Sequence, residues 1–74
     1  MGLTNTALLE ETIKNKGIKN SFLAEKLGIS AQGFLNKLHG KTEFKTSEMS
    51  ILAVALDLKQ KDFFAIFFSQ LVDK

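Results

Sequence analysis

Seventy-four residues with no cysteine leave room for one small domain and exclude a disulfide framework. With His39 as the sole histidine and no thiol to join it, no metal site or cofactor is expected. The formal charge of +2 hides an uneven distribution. Residues 14–45 carry seven lysines against two glutamates, whereas the rest carries three lysines against six acids. A basic middle between acidic ends suits a polyanion-binding face; the plainer reading is a solvated surface of uneven charge.

The chain contains no proline, and Ala, Leu, Lys, Glu and Phe dominate it, so an all-α fold is expected. The first helix is predicted from about Asn5 to Lys16. Thr4 is its expected N-cap, and Leu3 and Leu8 form a hydrophobic staple. Gly17 suits the left-handed position after the helix, with Ile18 falling back on Ile13 to complete a Schellman cap. A second helix fits Asn20 to Leu27 and ends at Gly28. Ser30 is a good N-cap for a third, Ala31 to His39, whose buried side is Phe34, Leu35 and Leu38. Thr46 or Ser47 caps a fourth helix with Glu48 in its first turn, and Met49, Leu52, Ala53 and Leu56 make its inner stripe. A fifth helix is predicted over about 60–72. No linker or repeat divides the chain, so residues 1–74 read as a single domain, a compact five-helix bundle.

The apolar run Phe63 to Val72 is about ten residues, where a membrane-crossing helix needs ~20, so no membrane partner is expected. No basic segment followed by an apolar run stands at the start, and the expected location is the cytoplasm. An enzyme is not expected: there is no cysteine nucleophile, no clustered acid pair, and no Ser or Asp pattern around His39.

The informative stretch is NSFLAEKLGISAQGFLNKLHGK, Asn20 to Lys41. Two short helices separated by three or four residues containing glycine match a helix-turn-helix at 20–40. Ala24 is small where the two helices cross. Gly28 takes the sharp turn, and Leu23, Ile29 and Phe34 supply the apolar contacts that fix the crossing.

On these residues the sequence resembles the phage-repressor and Cro-like helix-turn-helix family, through LAEKLGIS at Leu23 to Ser30. It is also similar to a narrower group of small phage-encoded DNA-binding proteins. Their recognition helix ends in a KLxGK pattern, here Lys37 to Lys41, followed by Phe44, Ser47-Glu48, the leucine-rich Ile51 to Leu58, and an IFF-like segment at Ile66-Phe67-Phe68. The resemblance covers about Leu8 to Phe68. It implies a sequence-specific regulator of transcription of phage or prophage origin, with double-stranded DNA as its partner. The alternative is an antirepressor or modulator that binds another phage regulator protein.

Residues at the start of a recognition helix face base edges in the major groove. The base-reading set is therefore Ala31, Gln32 and Gly33, with Asn36 and Lys37 one turn on. Gly33 fits close approach to DNA or simple tolerance at a helix start. The backbone-contacting set is Lys19, Asn20, His39, Lys41, Thr42 and Lys45; Asn20 doubles as an N-cap, and His39 as a cap for the helix end. Two features depart from the wider family. Lys37 stands where an apolar residue is usual, with Leu38 taking the inward place, and the chain has no arginine for bidentate contact to guanine.

Phe63, Phe64, Phe67, Phe68 and Leu71 surround most of the fifth helix. Neighbours differ by ~100° around a helix, so these side chains cannot all face one core. A homodimer through this helix is the expectation, and it would set two recognition helices ~34 Å apart.

Overall fold

A computed structural model of the chain describes residues 4–68. It holds α1 (Thr6–Lys16), α2 (Asn20–Leu27), α3 (Ala31–Leu38), α4 (Thr46–Ala55) and α5 (Gln60–Phe67), with no strand among the described residues. Over the described residues the chain is an all-helical five-helix bundle.

Local chemistry sets most helix ends. Gly17 and Gly28 adopt left-handed φ of 69° and 72°. The N–H of Ile18 returns to the Ile13 carbonyl and that of Ile29 to the Ala24 carbonyl. Both are six-to-one bonds that satisfy carbonyls a helix end leaves open. Ser30 caps α3, its Oγ accepting from the Gly33 N–H at 2.9 Å.

Two caps differ from expectation. Asn5, not Thr4, caps α1, its Oδ1 accepting from the Leu8 N–H at 3.0 Å. The Asn5 N–H is meanwhile tied to the Ile66 carbonyl of α5, which holds Asn5 at the entry position. The proposed staple partner Leu3 lies outside the described residues. At α4 neither Thr46 nor Ser47 is the cap. Glu48 reaches back to accept the Lys45 N–H at 2.8 Å, so Lys45 takes the cap position without a hydroxyl. α3 ends one residue early, with His39 as its C-cap, and α5 is described only to Phe67.

α1 packs on α3 and α5, and α2 packs on α3 and α4. Between them lie Leu9, Ile13, Leu23, Phe34, Leu38, Leu52, Leu56, Ile66 and Phe67, each essentially removed from solvent. Phe44, in the loop before α4, joins two layers of this core. Its ring meets Phe34 edge-on at 6.2 Å and Phe67 at 5.9 Å between centroids. The loop is thereby anchored from inside, with Phe44 set between a ring of α3 and a ring of α5.

The phenylalanines of α5 sort into different environments. Phe67 is fully buried, so its expected place in a dimer interface is corrected: the ring fills the monomer's own core. Phe63 and Phe68 are half-buried against that core, and Phe64 is exposed. Leu71 lies outside the described residues. Phe22, on α2, is turned outward beneath the Lys26 ammonium.

Candidate nucleic-acid interface

Three residues, Gly28 to Ser30, join α2 to α3. The chain turns there because Gly28 adopts a φ that a Cβ would oppose. The crossing is fixed by Leu23 and Ala24 on α2 and Phe34 on α3, all buried. Ala24, 3% exposed, supplies the small side chain that a close crossing needs.

With Phe34 and Leu38 facing the core, the opposite side of α3 is set by the helical period. Ala31 and Gln32 are exposed, and Gly33 and Asn36 half-exposed. Gln32 Nε2 donates to Asn36 Oδ1 at 3.2 Å, one turn apart, so the two amides share one face with donors and acceptors left over. A Cβ on Gly33 would meet Ser30 Oγ at 3.1 Å. This crowding at the cap adds a third reason for glycine beside the two drawn from sequence.

Lys37 is corrected as a base reader. Its side chain is 14% exposed and its Nζ lies 3.2 Å from Glu48 Oε1. The same ammonium donates to the Glu43 carbonyl at 2.9 Å. Both partners are satisfied inside the fold, so this cation is not offered with Gln32 and Asn36. The sequence held a clue: a charged residue at a position usually apolar requires a counter-charge, which Glu48 supplies from α4. From sequence Glu48 was expected only as a first-turn acid of the fourth helix, and neither it nor Glu43 was paired with Lys37.

The expected backbone-contacting residues divide likewise. Lys19, Asn20, Lys41, Thr42 and Lys45 are exposed. Lys19 holds the N-cap position of α2 without a side-chain hydrogen bond, and Asn20 is the first helical residue rather than the cap. The loop after α3 is clasped to the helix end, where the Asn36 carbonyl accepts from the Lys41 N–H at 2.8 Å and the Thr42 N–H at 3.4 Å. This sets Lys41 and Thr42 beside the last turn of α3. His39 instead faces α1, its Nε2 3.9 Å from Glu10 Oε2, both side chains more than half exposed.

Among the described residues no group of three or more His, Cys, Asp or Glu is placed to hold a metal ion. No helix among them is long and apolar enough to cross a membrane. Comparison with protein-family models, with characterised proteins and with solved structures finds no match to this chain.

Proposed function

We propose that this protein is a sequence-specific DNA-binding regulator of transcription that works as a helix-turn-helix, with α3 in the major groove. The observation that carries the reading is the outward face of α3. Ala31, Gln32 and Asn36 stand together on a helix whose other side is locked into the core, with exposed Lys19, Lys41 and Lys45 nearby in the chain. Gln and Asn amides pair with the N6 and N7 edge of adenine, and an alanine methyl packs on a thymine methyl. Lysines and the N–H groups at the start of α2 supply the sequence-independent contacts to phosphate. Without arginine, discrimination rests on the amides and on DNA shape. The resemblance described above agrees with this reading and extends it to a phage or prophage repressor acting in the cytoplasm.

Selection from a random duplex library at low salt tests it. An enriched site whose preference is relaxed by Gln32→Ala is the expected result. A folded protein that enriches nothing overturns it.

One observation favours a second reading, a modulator that binds another regulator protein. Phe22, Ile51 and Val54 are exposed apolar side chains on α2 and α4. Salt separates the two. DNA binding weakens with a log–log slope of about 0.9 per neutralised phosphate, whereas apolar docking changes little.

A further inference from the structure

α4 is apolar on two sides. Met49, Leu52 and Leu56 face the core, while Ile51 and Val54 point to solvent, 38% and 82% exposed. Together with Ala55 and Ser50 on α4 and Lys26 on α2, they line an open groove of about 490 Å³. Phe22, 43% exposed, adjoins it through Lys26, whose ammonium stands 5.2 Å from the centre of the Phe22 ring. An apolar stripe continued across two helices is the kind of surface a partner covers.

We propose that this groove is covered by a second copy of the chain, with α4 packed antiparallel on α4 of the partner about a two-fold axis at Val54. Charge complementarity selects this occupant. The groove carries a cation, Lys26, beside Ser50 and Ile51. Antiparallel pairing centred on Val54 sets each Ile51 opposite Asp57 of the other copy, since the two residues lie equally far from the axis. Asp57 is exposed in the turn that ends α4, with φ 53°. Neither Lys26 nor Asp57 makes an ion pair among the described residues. A carboxylate is also disfavoured at the C-terminal end of its own helix and gains from an external cation. The two-fold repeats the match, so one contact yields two Lys26–Asp57 pairs around an apolar centre, the core-and-rim order of protein interfaces. This replaces the dimer expected through α5, where Phe67 is spent on the core.

The test uses the full chain without DNA, so its failure is distinct from failure of the DNA reading. The chain lacks cysteine, so Val54→Cys introduces a lone thiol at the proposed axis. Under mild oxidation V54C is expected to cross-link faster than Lys61→Cys or Phe64→Cys, because a residue on a two-fold axis meets its own copy. Sedimentation equilibrium of the unmodified chain should show monomer and dimer. Val54→Lys should weaken the dimer by about tenfold or more, as loss of a central contact does. Its helix content should be unchanged, because Val54 is mostly exposed. Lys26→Glu should weaken the dimer, and adding Asp57→Lys to it should restore association. A chain that stays monomeric at high micromolar concentration overturns the proposal. So does F64C cross-linking faster than V54C, which would move the interface to α5.

Discussion

The ammonium of Lys37 and the carboxylate of Glu48 meet at 3.2 Å in a setting that leaves only 14% and 11% of their side chains exposed. Glu48 Oε1 also accepts the Lys45 N–H, and Lys37 also donates to the Glu43 carbonyl. One ion pair thus ties the last turn of α3 to the first turn of α4 and braces the loop between them. Removing either partner strands the other in a poorly solvated place. Glu48→Ala also loses the helix cap. Lys37→Met and Glu48→Gln are each expected to cost about 1–3 kcal/mol in urea unfolding, and Glu48→Ala more. A double-mutant cycle should show coupling between positions 37 and 48. Additive losses would show that the pair contributes nothing of its own.

Phe67 and Phe64 sit one turn apart on α5 with opposite fates, fully buried and 41% exposed. Phe67→Ala empties the centre of the bundle and is expected to cost about 3–5 kcal/mol, enough to unfold much of a domain this small. Phe64→Ala should cost under about 1 kcal/mol, as surface changes do. Phe44→Ala belongs with Phe67, since its ring bridges Phe34 and Phe67. Thermal melts followed by circular dichroism separate the two groups.

Ser30→Ala removes the acceptor for the Gly33 N–H and is expected to lower stability by about 1 kcal/mol. In a domain of this size that corresponds to a fall in Tm of about 4–8 °C. Asn5→Ala, which loses the equivalent bond to Leu8, should behave alike. An unchanged Tm in both would mean that the bonds seen at these caps contribute no net stability.

Gly33→Ala distinguishes folding from recognition at one position. Helix propensity favours alanine by about 1 kcal/mol, and the 3.1 Å approach to Ser30 Oγ offsets part of it. Stability should therefore be unchanged or slightly raised. If α3 lies against DNA at Gly33, affinity for the selected site falls while the melt does not. Equal affinity for the two proteins would show that glycine serves the cap alone.

Gln32→Ala and Lys41→Ala should differ in kind. Loss of the Gln32 amide is expected to cost about 1–3 kcal/mol on the selected site and to relax preference at one base pair. Loss of the Lys41 charge should weaken all sequences alike and lower the salt slope by about 0.9. Titrations of specific and scrambled duplexes at several salt concentrations provide the check. If both substitutions lower affinity without altering preference, α3 is not the reader.

The helix order, the ends at Gly17 and Gly28, the Ser30 cap and the inward stripes of α3 and α4 were legible in the sequence, because each arises from residues within about one turn of one another. The short connection between α2 and α3 was legible for the same reason. Other features required the tertiary structure. Lys37 reads as a free surface cation until Glu48, eleven positions on, folds back over it. Phe44 is one aromatic in a polar loop until α3 and α5 close around it. On α5 the helical period fixes the angles between phenylalanines, but an apolar circumference does not say which side meets the core, and packing against α1 decides that Phe67 enters and Phe64 does not. The same ambiguity hid the outer stripe of α4. Ile51 and Val54 are as apolar as Leu52, and only the placement of α2 leaves them uncovered. Local hydrogen bonding and steric preference act along the chain, whereas the choice among equally apolar faces depends on how much surface the whole bundle can bury.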